Sequence, residues 1–388
     1  MRGSIRQQTK GTWQITLDVG ISVDGRRKRH FETINGRKAD AQKRLNELLV
    51  ALEKGSYAPT GKITVAEHLQ QWLDGYVKTN CSPRTLDGYG AIIQNHLIPA
   101  FGRIPLKQLQ PARIQTYYGE ACERLSSRTV HHHHRILSQS LKYAVRQGYL
   151  GRNPCDLVDP PSPRRKVMRT LTPVEVDVLL LTATGSQYYP VIYMALSSGL
   201  RQAELLGLRW RDIDLQSKSI SVSQVLYKRR GVCVFKEPKT EHSRRRVAMT
   251  PKLAAFLKAY RSEREDLYTR LEMRLELDDL VFGNADGGPV DPGVLSHAFA
   301  RLVRAAGLGQ VRFHDLRHTF ASLMLLRGAA PKVISEALGH ASVAFTMDVY
   351  SHIIGGMQED AMRLLDDVMP AGKTSQVSSL FCRYSSSV

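Results

Sequence analysis

The chain has 388 residues and carries 55 Lys and Arg against 36 Asp and Glu, a formal charge of +19. That length exceeds one typical core, so two or three domains are expected, and so large a positive excess points to a polyanion, nucleic acid ahead of an anionic membrane surface. No apolar run nears the ~20 residues of a spanning helix, the stretch from Met1 to Thr12 lacks a signal-peptide core, and Cys81, Cys122, Cys155, Cys233 and Cys382 form no CxxC pair. These features argue against a membrane protein, a disulfide scaffold and a zinc site, and a soluble cytoplasmic protein is expected.

In chain order, Trp13, Ile15, Leu17 and Val19 alternate, a turn falls at Asp24-Gly25, and the basic run Arg26, Arg27, Lys28, Arg29 leads into Phe31. This predicts a small antiparallel sheet, three-stranded, with Arg27, Lys28 and Arg29 as candidate DNA contacts. Ala41, Leu45, Leu48, Leu49 and Leu52 then recur at helical spacing and predict one helix across the sheet. After a linker at Pro59-Thr60-Gly61, four or five short helices are expected to about residue 158. Val65, Leu69, Trp72 and Tyr76 mark the first; Leu86, Tyr89, Ile93 and Leu97 the second, stopped by Pro99 and Gly102. Ile114, Tyr117, Ala121 and Leu125 mark another, and Val130, His134, Leu137, Leu141 and Ala144 the last. His131 to His134 lie within it. Successive helical side chains diverge by about 100°, so the four rings cannot converge on one metal, and packing or phosphate contact is the better reading.

Asp159 to Lys166 is proline-rich and basic, an extended linker in which Arg164, Arg165 and Lys166 could track a phosphate backbone. Thr172-Pro173-Val174-Glu175 has the form of a capping box and opens a mostly helical domain. That domain is interrupted between Ser219 and Met249 by β-structure carrying Ile220, Val222, Val225, Val232, Val234 and Val247. The divisions are therefore 1–58, 62–158, a linker at 159–170, 171–370 and a serine-rich tail at 371–388. The fold class is α+β and multidomain: a three-stranded sheet with a helix, an all-α unit, and a mostly α domain with a small antiparallel sheet.

Three segments of the last domain carry chemistry. Arg201 follows Ser198-Gly199-Leu200 at a helix start, where a guanidinium and backbone N–H groups can both face an anion. Arg317 stands three residues after His314, so both project from one helical face. Tyr350 follows Leu338-Gly339-His340 by ten residues, and its hydroxyl, with a usual pKa near ~10, needs a local proton acceptor or a strong positive field to attack. Cleaving a phosphodiester needs an attacking oxygen, cations on the non-bridging oxygens and an acid for the leaving oxygen. This chain can supply each.

Gly199-Leu200-Arg201-Gln202-Ala203-Glu204-Leu205-Leu206-Gly207-Leu208-Arg209-Trp210, His314-Asp315-Leu316-Arg317-His318, and Leu338-Gly339-His340 with Tyr350 resemble the three conserved boxes of the tyrosine recombinases, the phage-type integrases. The resemblance runs over essentially the whole chain. It implies that Arg201 and Arg317 clamp the scissile phosphate, that His340 hydrogen-bonds it, and that Tyr350 attacks to give a 3′-phosphotyrosyl link and a free 5′-hydroxyl. His314 would accept the proton or hydrogen-bond near the tyrosine, and Glu204, one helical turn after Arg201, would orient it or the neighbouring histidine.

Pro238-Lys239-Thr240 with Ser243 and Arg244 resembles the family's hairpin-lysine motif, making Lys239 the general acid, with Lys236 next and Lys228 also close by. The phosphotyrosyl diester would conserve the bond energy, so neither cofactor nor metal is expected. No Walker run or acidic two-metal cluster accompanies the motifs.

The resemblance further implies double-stranded DNA as partner, at core sites and, through the N-terminal module, at arm sites. It implies a homotetramer on DNA, with DNA-bending and directionality factors as further candidate partners. A terminal helix carrying Met362, Leu365 and Val368 could dock on a neighbouring subunit or fold back in cis. A type IB topoisomerase and a catalytically inactive DNA-binding protein are the rival readings. The N-terminal module and the Leu338-Gly339-His340 box weigh against the first, and the complete set of catalytic residue types weighs against the second.

Overall fold

The computed structural model describes residues 3–21, 27–53, 63–163, 168–238, 244–339, 342–344, 346–347 and 369. The chain divides into two compact units, residues 1–166 and 167–388.

In the first unit, β1 (Gly3–Thr9), β2 (Thr12–Ile21) and β3 (Arg27–Asn35) form an antiparallel sheet in that order. Strand alternation puts Ile15 and Leu17 on one face, where Leu45 and Leu48 of α1 (Lys38–Glu53) cover them. On β3, Arg29 and Phe31 are both exposed.

The helical part opens with α2 (Val65–Trp72), capped by a reciprocal box that sequence reading did not pick out. Glu67 N–H donates to Thr64 Oγ1 at 3.2 Å and Thr64 N–H to Glu67 Oε2 at 2.7 Å. The helix runs on through a π-turn at Leu73–Val77 into α3 (Lys78–Asn80). The next, α4 (Pro83–Ile92), passes through a second π-turn at Ile93–Leu97 into α5 (Ile98–Phe101). Of the two expected stops, Gly102 is the C-cap after Phe101, whereas Pro99 is corrected, since the helix continues past it. In the π-turn Ile98 N–H reaches back to Ile93 O, and the widened register accommodates a residue that has no N–H to give.

Two longer helices, α6 (Pro111–Cys122) and α7 (Ser127–Arg146), complete a core built on Trp72, Ile93, Leu97, Phe101 and Leu137. The buried stripe of α7 holds Val130, His133, Leu137, Leu141 and Ala144, so His133, not His134, is the fully buried member of the histidine run. The four rings take different partners. Tyr117 Oη lies 2.9 Å from His133 Nδ1 and Tyr118 Oη 2.6 Å from His134 Nδ1. His131 Nδ1 donates to Pro161 O at 3.1 Å, and His132 lies edge-on to Tyr89. Burial, helped by His96 and His132, pulls His133 down to about 4, and burial alone pushes Tyr117 up to about 12, so this buried pair is neutral near pH 7.

The second unit begins with α8 (Pro173–Ala183), whose box has Thr172 accepting from Glu175 N–H at 3.3 Å and donating its own N–H to Glu175 Oε2 at 2.9 Å. Two helices, α9 (Tyr189–Ser198) and α10 (Gln202–Gly207), and a 3-10 turn at Trp210–Asp212 follow. The β-structure is split in two. One sheet has the order β4 (Ile213–Asp214), β5 (Ser219–Ser221), β8 (Arg246–Ala248), and a second is the pair of β6 (Val225–Arg229) with β7 (Val232–Lys236). The chain leaves the first sheet where Ser223 Oγ donates to Asp212 at 2.6 Å and Gln224 Nε2 to Gly207 O at 2.8 Å. A Cβ on Gly207 would lie 3.0 Å from backbone atoms of Gln224, Val225 and Leu226, so any side chain there would press on that close passage.

Helices α11 (Pro251–Arg270), α12 (Pro292–Ala305), α13 (Asp315–Leu326) and α14 (Pro331–Leu338) close the unit around Trp210, Leu253, Phe299 and Leu316. A smaller cluster of Ala321, Leu325, Ile334 and Leu338 locks α13 to α14.

Candidate active site

The site is assembled at three junctions in the second unit. At the first, α9 ends on Gly199 in the left-handed conformation, φ +65°, and a Cβ there would lie 2.4 Å from Phe320 Cδ1. Both the torsion and the packing against α13 require glycine. The sharp exit places Arg201 as the extended N-cap of α10. Its N–H donates to Glu204 Oε2 at 2.9 Å and its Nη1 to Glu204 Oε1 at 2.7 Å, which leaves the guanidinium partly exposed.

At the second junction, Asp315 fastens the start of α13. Arg312 donates its N–H to Asp315 Oδ2 at 2.8 Å and its Nη2 to Asp315 Oδ1 at 3.0 Å. Two residues on, Arg317 is buried and bridges elements, donating Nη1 to Gly199 O at 2.8 Å and Nη2 to Leu338 O at 2.5 Å. His314, the N-cap of α13, keeps an open edge but has enough protein around it that burial first, then Arg317, Arg312 and Arg201, lower its pKa against the opposing pull of Asp315. Its ring meets His318 edge-on at 5.1 Å. Burial, followed by His314, pulls His318 down to about 4. An imidazole that is neutral near pH 7 can accept a proton.

The third junction is the C-terminal end of α14, where consecutive carbonyls each take a different arginine. Ala337 O accepts from Arg245 Nε at 2.7 Å, Leu338 O from Arg317 Nη2, and Gly339 O from Arg201 Nη2 at 3.2 Å. The last carbonyls of a helix lack intrahelical partners and carry partial negative charge, so the helix end is a natural seat for cations.

Sequence reading did not single out Arg245. Its Nη1 and Nη2 donate to Glu204 Oε1 at 3.1 Å and Oε2 at 2.9 Å, and its side chain is only 7% exposed. Burial opposes ionisation of Glu204, but Arg245, then Arg201, outweigh it and hold the carboxyl below its ordinary range. The run Arg244, Arg245, Arg246 reads as solvated charge. The available signal was strand periodicity, because Arg245 shares the inward face of buried Val247 while Arg244 and Arg246 point out.

Residues 169–354 match the phage integrase family, and residues 64–120 match the phage integrase N-terminal SAM-like domain. The ICEBs1 integrase of Bacillus subtilis is 30% identical over 284 residues, 72% of this chain and 76% of that protein. This chain belongs to the phage integrase family of tyrosine recombinases. A tyrosine recombinase XerC-like protein of Caldanaerobacter subterraneus subsp. tengcongensis is 26% identical over 381 residues, 92% of this chain and 97% of that protein. The fold is that of the Tn1549 transposon integrase in complex with a circular intermediate DNA, with a TM-score of 0.68 at 22% identity, covering 78% of this chain and 99% of that one. The enzyme is thus a site-specific DNA recombinase, which sets aside the topoisomerase and the inactive binding protein.

Of the recombinase's expected site residues, the fold brings Arg201, Glu204, His314 and Arg317 together. Lys239, His340 and Tyr350 lie outside the described residues, as do Arg164, Arg165, Lys166 and the terminal segment with Met362, Leu365 and Val368. Arg27, Lys28 and Arg29 lie on β3, away from this constellation in sequence and in a different unit. Of the alternative lysines, Lys228 is taken by Asp291, the N-cap of α12, whereas Lys236 ends β7 exposed. Lys236 lines an open cleft of about 670 Å³ together with Arg209, Arg244, Arg245 and Arg246. Among the described residues no group of three or more His, Cys, Asp or Glu could hold a metal, and no helix is long and apolar enough to cross a membrane.

Proposed function

We propose that this recombinase integrates or excises a mobile element through a covalent 3′-phosphotyrosyl intermediate. Arg201 and Arg317 bind the non-bridging oxygens of the scissile phosphate, and His340 adds a hydrogen bond. The Tyr350 oxygen forms a bond to phosphorus as the bond to the 5′ oxygen breaks. His314 takes the phenolic proton and Lys239 gives one to the departing 5′ oxygen, with no cofactor or metal. A 5′-hydroxyl from a second duplex reverses the step. The observation that carries this reading is the convergence of two arginines, one buried, on the Gly199 turn and the end of α14.

The partner is double-stranded DNA. The helical unit supports binding at the core site: on α7, Arg128, His132, Arg135, Gln139, Lys142 and Arg146 fall at helical spacing on one exposed face. In this reading Arg27, Lys28 and Arg29 of the N-terminal module contact arm sites, Arg164, Arg165 and Lys166 follow the backbone, and four copies act together. DNA-bending and directionality factors belong to the same proposal. The ICEBs1 and transposon integrases among the relatives favour a mobile-element role.

A core half-site nicked beside the cleavage position tests the chemistry, because loss of the short leaving strand traps the adduct. Wild-type protein forms a covalent adduct; Tyr350→Phe binds equally and forms none. An undiminished adduct with Tyr350→Phe would refute the nucleophile assignment.

A further inference from the structure

Arg245 is a buried cation with no assigned task, and it touches both Glu204, the carboxylate partner of Arg201, and the end of α14. Its fork holds both oxygens of Glu204, the same carboxylate that takes Arg201 Nη1. Its Nε holds Ala337 O, next to the two carbonyls that receive Arg317 and Arg201. Three donors of one planar group thus fix, at once, the carboxylate behind Arg201 and the helix end before it. A lysine has a single charged centre and cannot span all three acceptors.

Geometry matters because an arginine clamp works only where its N–H donors meet the charge that develops in the transition state. Arg201 is partly exposed and at the head of a short helix, so its own packing does little to fix its rotamer. Without Arg245, Glu204 would keep one cation and two acceptor oxygens, and the Arg201 guanidinium could swing with it. We infer that Arg245 is a positioning residue for strand cleavage, which holds Arg201 in its phosphate-binding orientation through Glu204 and the C-terminal end of α14.

The inference rests on the proposed phosphate clamp, and its test separates the two. Core-site affinity and single-turnover cleavage of the nicked half-site are measured for wild type, Arg245→Gln and Arg245→Lys, and again with each change placed in an Arg201→Lys background. Arg245→Lys keeps a cation against Glu204 and serves if Arg245→Gln does not fold. The expected result is unchanged affinity, cleavage slower by about tenfold or more with either variant, and a further loss of less than about twofold in the Arg201→Lys background. Full additivity in that background, a parallel loss of affinity, or unchanged cleavage would each overturn the inference. Absence of any adduct with wild-type protein would instead refute the underlying reading.

Discussion

The two units bury polar groups in opposite ways. In the helical unit, the buried polar side chains are neutral and meet neutral partners, as with Tyr117 and His133, or His68 with Ser140 O at 2.9 Å. In the catalytic unit, full charges are buried: Glu204, Arg245, Arg317 and Asp315. Neutral pairs stabilise a scaffold at modest cost, whereas buried charges are expensive to desolvate and are retained where a fixed field is needed. The helical unit carries its cations outside, as on the outer face of α7, and the catalytic unit is organised around an electrostatic site.

The largest expected effect that sharpens this contrast is Arg317→Ala, which removes a clamp donor and leaves Gly199 O and Leu338 O without it. Cleavage of the half-site should fall by roughly 100- to 1000-fold, while affinity changes little. A loss of affinity matching the loss of cleavage would mean that the buried charge serves binding.

Acid should strike both units. His133 and His318 are each pulled down to about 4 from 6.5, so the unfolded chain binds more protons between those values. Their contribution is fully present above 6.5 and fades as the pH falls toward 4, amounting to about 2 kcal/mol per site between pH 7.5 and 5. Urea titrations of the full chain at the two pH values measure it. His133→Asn should reduce the acid sensitivity of the helical unit alone, leaving the smaller share of His68, His132 and His134, which burial also lowers, and equal sensitivity with and without His133 would break that side of the comparison.

Where the units share a device, their response should match. Thr64→Ala and Thr172→Ala each remove half of a reciprocal capping box and should each cost about 1 kcal/mol in thermal or chemical unfolding. The smallest effect belongs to the outer face of α7. Arg135→Ala should leave cleavage of bound DNA unchanged and reduce the slope of log affinity against log salt by about 0.9. An unchanged slope would move the DNA contact off this face.

Much of this was legible in the sequence because it depends on local pattern. Alternation around Ile15 and Leu17 foretold the first sheet, Thr172 with Glu175 the start of α8, and Gly199 the turn before Arg201. What was not legible depends on neighbours distant in sequence. Pro99 reads as a stop until a π-turn absorbs it, and His133 and His134 exchange roles because that helix is packed by Tyr117 and Tyr118. Arg245 looks like one of three surface charges until Glu204, 41 residues away, is seen to accept its fork. Long-range pairs of this kind leave only a faint periodic trace.

The central claim, that the buried charges of the catalytic unit serve attack by Tyr350 on a phosphodiester, is tested most directly by mapping the covalent junction. Wild-type protein trapped on the nicked half-site is digested and the DNA-linked peptide sequenced by mass spectrometry. The account predicts a single nucleotide-bearing peptide modified at Tyr350 through a 3′-phosphate. A linkage at another residue, or through a 5′-phosphate, would contradict it.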